Sequence, residues 1–215
     1  MRAAKGEFDT IVSLGSNCAP AAAIRKYFST PIAFPFDWWI SSIDEILSAA
    51  RNDFQDMFEE EDIEIYKVVD WSIRAGKFGI AYHHDFSRTE SGYDLQTVLD
   101  ALPAVKAKYE RRFDRLRSRL TEGRTLFIRY GIEVRGKSQQ ESFSDLSDLA
   151  NQFHRIFPLC DFELLALPSI GELRASVPGI VFDFLGDDTG EMWREEQFFS
   201  LFKRRGISLS SKFRA

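Results

Sequence analysis

The sequence predicts a three-layer α/β sandwich, a largely parallel sheet covered on both faces by helices, with an irregular insertion over residues ~30–95. Three observations lead there. Thr125 to Tyr130, Phe162 to Leu167 and Ile180 to Leu185 are continuous apolar runs of strand length, as expected of strands buried on both faces. Helical patterns separate or follow them. Phe8 to Leu14, an apolar run succeeded by a helix-forming stretch, starts the same alternation at the beginning of the chain. With 215 residues, 44% of them hydrophobic, residues 1–215 read as a single α/β domain with one full core.

The elements follow in order. Phe8 to Leu14 is a buried strand and Ala21 to Phe28 a helix, with Ser16 or Asn17 as its cap and Pro20 in its first turn. Ser29-Thr30-Pro31 ends that helix. Ala33 to Trp39 is too interrupted by proline for a helix and too apolar for an exposed loop. Ser42-Ile43-Asp44-Glu45 matches a capping box and opens a helix to about Arg51. Ile63 to Val69 alternates as a strand does, and Lys77 to Phe86 is a second strand ending in His83, His84 and Asp85. Ser87 to Asp94 is a polar loop. A helix is expected from about Pro103 to Leu120, since Val105, Tyr109, Phe113, Leu116 and Leu120 form one apolar stripe. Further helices are expected at about Ser144 to Phe157 and Glu191 to Arg204.

Composition narrows the function. Abundant phenylalanine, 20 residues, points to a core built from aromatics. No apolar run reaches the ~18 residues of a membrane span, and the first residues lack the apolar stretch of a signal peptide. Cys18 and Cys160, far apart in a chain without an export signal, are expected as free thiols in the cytoplasm. A net charge of −5 offers nothing to nucleic acid. The charge is uneven, however: Asp53 to Glu64 holds seven acids and no base, whereas Lys106 to Arg124 holds eight bases and three acids. The expected role of the basic stretch is a solvated helix face opposite the acidic one.

Cys18 is the leading chemical candidate. It sits where a strand gives way to a helix, facing unpaired backbone N–H groups and the positive end of the helix dipole, both of which favour thiolate. A nucleophilic cysteine also needs a base, an orienting group and oxyanion donors. The backbone N–H groups of Cys18 and Ala19 and the side chain of Asn17 are candidate donors, with Ser16 and Trp38 as further substrate contacts. Of three histidines, His83 and His84 are candidate bases. On a strand they face opposite ways. His83 would share a face with Asp85, while His84 would need an acid from elsewhere, for which Asp37 is the best candidate. His154 reads as a helix-face residue. Adjacent histidines seldom bind one ion together, and no Cys-pair or His-Glu-x-x-His spacing occurs, so no metal and no cofactor is expected. Gly15-Ser16-Asn17 lacks the lysine and the extra glycines of a phosphate loop. A serine esterase using Ser16 would take its histidine from near the C-terminus, and no histidine follows His154.

Several segments taken in order resemble a family of uncharacterised bacterial papain-like cysteine peptidases. They are Ser13-Leu14-Gly15-Ser16-Asn17-Cys18, Pro35-Phe36-Asp37-Trp38, His84-Asp85-Phe86, Tyr109 to Arg115, and Leu126-Phe127-Ile128-Arg129. The resemblance implies a cysteine hydrolase or acyltransferase, with Cys18 as nucleophile, His84 as base and Asp37 or Asp85 as the acid. It implies a small-molecule, peptide or glycan-linked substrate. A papain-like α+β fold is the alternative architecture that it raises. The alternative function is a non-catalytic binding or scaffold protein of a surface-polysaccharide pathway, holding a sugar or anion with Trp38, Trp39 and the face of Arg111, Arg112 and Arg115.

Overall fold

The structure, a computed structural model, describes residues 4–67, 71–75, 77–82, 84–132, 138–168, 177–186 and 194–213. Its centre is a four-stranded, all-parallel sheet of β2 (Thr10–Ser13), β7 (Arg124–Tyr130), β8 (Asp161–Leu167) and β9 (Ile180–Phe182), in that spatial order. Thr10 pairs with Thr125, Thr125 with Phe162, and Leu164 with Ile180. Because side chains alternate along a strand, each strand feeds two cores. Ile11, Leu126, Ile128, Leu165 and Leu167 pack on one side with α1 (Ala19–Phe28) and α5 (Glu195–Arg205). Val12, Phe127, Leu164 and Ala166 pack on the other with α2 (Ile43–Arg51), α3 (Leu95–Leu120) and α4 (Gln139–Ile156). This is the expected three-layer α/β arrangement. The papain-like alternative does not describe it, since the cysteine-bearing helix follows a strand of a parallel sheet.

The aromatics do form the cores. Phe36 lies 5.1 Å from Trp39, 5.4 Å from Phe54 and 5.9 Å from Phe113, centroid to centroid, and Phe127 meets Phe153 at 5.0 Å. On the opposite face Phe28 packs on Phe202 at 5.1 Å.

The insertion over residues 30–95 has its own order. It carries α2 and an antiparallel sheet in the order β3 (Trp39–Ile40), β6 (Ala81–Tyr82), β5 (Trp71–Ala75), β4 (Ile63–Lys67). The cap of α2 is as expected: Ser42 Oγ accepts from Glu45 N at 3.3 Å and Glu45 Oε2 from Ser42 N at 2.7 Å. Other boundaries differ. The strand expected over 77–86 shrinks to Ala81–Tyr82, so His84 lies in a bend and the argument from alternating faces does not reach it. Helix α3 starts at Leu95, with Asp94 Oδ1 accepting from Thr97 N at 2.8 Å, and carries Pro103 inside it. The apolar stripe extends back through Leu102 and Val98, and that burial outweighs the backbone hydrogen bond that a proline cannot donate. Helix α4 starts at Gln139 behind a second capping box, Ser138 with Glu141. Four strands lie beyond those expected: β3 and β5 of the insertion, and β1 (Gly6–Phe8) and β10 (Ile207–Leu209), which pair in parallel.

Candidate functional site

At the C-terminal end of β2 the chain turns sharply into α1. Gly15 has φ of 72° and Ser16 φ of 80°, both in the left-handed region. A side chain at Gly15 would meet Ser41 Oγ at 2.8 Å, so the turn needs glycine for its conformation and for its closeness to residues 39–41. Gly131, just past β7, approaches from the other side: a Cβ there would meet Ser16 Oγ at 2.8 Å. Arg129, only 1% exposed, ties the two sides. Its Nη1 donates to the Leu14 carbonyl at 2.8 Å and its Nη2 to the Ser41 carbonyl at 2.6 Å.

Cys18 occupies the cap position of α1, buried to 8% exposure. Asn17 Oδ1 accepts from Ala19 N at 2.9 Å. This corrects the expectation that the Ala19 N–H faces substrate, because the neighbouring amide oxygen already satisfies it. The side-chain NH2 of Asn17 is the part that remains able to donate. The thiolate expectation is also corrected. Burial first, then the charge of Asp85, then that of Asp37 push the Cys18 thiol up from 9.0 to about 11. Desolvation and two carboxylates outweigh the helix dipole, which contributes modestly and over one turn.

Asp37 lies in the 3-10 turn Pro35–Trp38 and is buried. Its Oδ2 accepts from Phe34 N at 2.9 Å and lies 3.8 Å from Arg25 Nη2. Burial pushes its carboxyl up from 3.8 to about 6, while the Phe34 N–H, Arg25, Arg112 and Arg115 pull the other way. Asp85, with a side chain 2% exposed, takes Lys108 Nζ at 2.5 Å on one oxygen and the Tyr109 hydroxyl at 2.9 Å on the other. His84 is exposed, and its ring stands edge-on to Trp38 with centroids 5.5 Å apart. Trp38 also lies under the Arg25 guanidinium, at 5.3 Å. The three segments are therefore linked, with Asp37 and Asp85 both acting on Cys18 and their chain neighbours Trp38 and His84 in ring contact.

His83 lies outside the described residues. His154 is on α4, stacked on Phe162 at 4.3 Å. Cys160 is a second free, buried thiol. Among the described residues, no group of three or more His, Cys, Asp or Glu is placed to hold a metal ion, and no helix is long and apolar enough to cross a membrane.

Sequence reasoning missed Arg129, Ser41, Tyr109 and Lys108 as parts of this neighbourhood. One signal was available: an arginine inside an otherwise apolar buried strand needs partners, and here these are two backbone carbonyls.

Fold and site together define a parallel α/β protein whose first helix is headed by a cysteine between two carboxylate-bearing segments. Within that class, residues 9–165 match the family described as "Putative papain-like cysteine peptidase (DUF1796)", and the chain belongs to that family. By that description it is grouped with cysteine hydrolases. An uncharacterised protein of Acanthamoeba polyphaga mimivirus is 30% identical over 161 residues, covering 66% of this chain and 70% of that protein. That relative is viral rather than bacterial. No solved structure matches the chain.

Proposed function

We propose that this protein is a cysteine hydrolase of acyl compounds in which Cys18 attacks a carbonyl and His84 is the base. The observation that carries the reading is the convergence of separate segments on one thiol: Asp37 and Asp85 both bear on Cys18, and Trp38 meets His84. In this reading the resting thiol is neutral, since burial and the two carboxylates disfavour its ionisation. On attack, sulfur bonds to the carbonyl carbon while the thiol proton passes to His84. The imidazolium so formed is stabilised by the two carboxylates that disfavour a lone thiolate. His84 then gives that proton to the leaving group, producing a thioester at Cys18. Water, deprotonated by His84, hydrolyses the thioester and regenerates the thiol, or an acceptor hydroxyl or amine takes the acyl group instead. Asp37 and Asp85 are held in place by Phe34, Arg25, Lys108 and Tyr109, so they act as fixed charges. Asn17 and Ser16 flank the carbonyl, and Trp38 offers an aromatic wall to the substrate, whether a peptide, a small molecule or a glycan-linked acyl group. Two free cysteines suit a reducing compartment, the cytoplasm in this reading.

The test is acylation by p-nitrophenyl acetate, followed by site-resolved mass spectrometry. An acetyl group is expected on Cys18, absent in Cys18→Ala, and formed at least about 100-fold more slowly in His84→Ala. Equal acylation of the wild-type and His84→Ala proteins would overturn the assignment of the base. Acylation no faster than in the urea-unfolded chain would overturn the enzyme.

A further inference from the structure

The charges around Asp37 and Asp85, the two acids that act on Cys18, do not balance. Asp37 and Asp85 are met by four cations. Lys108 pairs with Asp85 and keeps 30% of its side chain exposed. Arg25 stands 3.8 Å from Asp37, over the face of Trp38. The Arg112 guanidinium lies 5.3 Å from the ring centroid of Tyr109, whose hydroxyl reaches Asp85, and it also acts on Asp37. Arg115 is exposed, held by the Ala33 carbonyl at 2.7 Å, and acts on Asp37 too. Two atoms in this arc are unsatisfied: Arg112 Nη1 and Arg25 Nε are enclosed yet meet no acceptor among the described residues. Enclosed guanidinium N–H groups rarely stay unpaired, and what they lack is an acceptor.

We propose that this arc is an anion subsite, so that the substrate carries a carboxylate or phosphoryl group close to the carbonyl that Cys18 attacks. The proposal rests on Cys18 being the point of attack. Planar guanidinium groups suit either anion, and Trp38 supplies an apolar wall beside them. Lys108 adds a point charge.

The experiment compares alkylation of Cys18 by anionic iodoacetate and neutral iodoacetamide at pH 9, read at the Cys18 peptide. Both reagents consume the same thiolate, so their rate ratio is independent of thiol ionisation and of turnover. The ratio in the folded protein is expected to exceed that of the urea-unfolded chain by about 10-fold or more, and to shrink as salt rises. It should fall towards the unfolded value in Arg112→Gln. It should fall part-way in Arg115→Gln, whose exposed position leaves the fold intact. Inorganic phosphate and acetate, each added at matched ionic strength, distinguish the two anions: the one that slows iodoacetate more is the better stand-in for the substrate group. A ratio equal to that of the unfolded chain, a ratio unchanged in both variants, or no slowing by either anion overturns the subsite. A chain with the raised ratio that p-nitrophenyl acetate fails to acylate keeps the subsite and loses the hydrolase.

Discussion

At position 18 two influences oppose each other: the head of α1 favours negative charge, while burial and the carboxylates of Asp85 and Asp37 disfavour it. The second set prevails, so alkylation of Cys18 by iodoacetamide is expected to titrate near pH 11, not at the 9.0 of an ordinary thiol. Asp85→Asn and Asp37→Asn should each lower that midpoint. Asp37 also affects stability. Its carboxyl binds a proton more tightly folded, at about 6, than unfolded, near 3.8. Folding stability contributed by this group is therefore fully present below pH 3.8 and is lost as pH rises through 6. Above that window the buried charge costs about 2 to 3 kcal/mol. Asp37→Asn keeps an acceptor for the Phe34 N–H, so urea unfolding at pH 8 should show a gain of about 2 kcal/mol, vanishing at pH 3.5, with slower acylation of Cys18. Cysteine and both acids could be picked out in the sequence because a thiol at a strand–helix junction and carboxylates among aromatics stand out. The neutral state of the thiol could not, since it depends on charges that only folding brings near.

Among the elements, the loop at the end of β2 depends on Arg129, which donates to carbonyls on both of its sides. Arg129→Met would leave two buried acceptors unmet, and calorimetry should show a loss of about 3 kcal/mol or more. The caps carry less: Ser42→Ala and Ser138→Ala should each cost about 1 kcal/mol. The first of these caps was legible because an apolar stripe follows it at once. The second was not, because the first turn of α4 is polar, and periodicity begins only near Phe143. Pro103 concealed the start of α3, since a proline reads as a first-turn residue even where buried Val98 and Leu102 carry the helix past it. The stretch 77–86 failed as one strand because, among its described residues, only Ala81 and Tyr82 pair, with β3 and β5.

For the molecule as a whole, the parallel sheet with two separate cores was the most legible feature. Continuous apolar strands must be covered twice, and the regular alternation with helices supplies both layers. The pairing of β1 with β10 was invisible, since two three-residue strands at opposite ends of the chain carry no periodic signal. Phe153 joins the sheet to the insertion, touching Phe36, Phe54 and Phe127. Phe153→Ala is expected to cost about 3 to 5 kcal/mol in urea unfolding, loosening the segment that carries Asp37 and Trp38. In the proposed mechanism this architecture brings the His84 imidazole to a buried, neutral thiol. The pH profile of single-turnover acylation of Cys18, in wild type and in His84→Gln, tests it most directly. The wild-type rate should reach its plateau below about pH 8, where imidazoles lose their protons, and the variant should instead follow the thiol's own ionisation at much higher pH. Two superimposable profiles, both rising with the thiol, would contradict the claim.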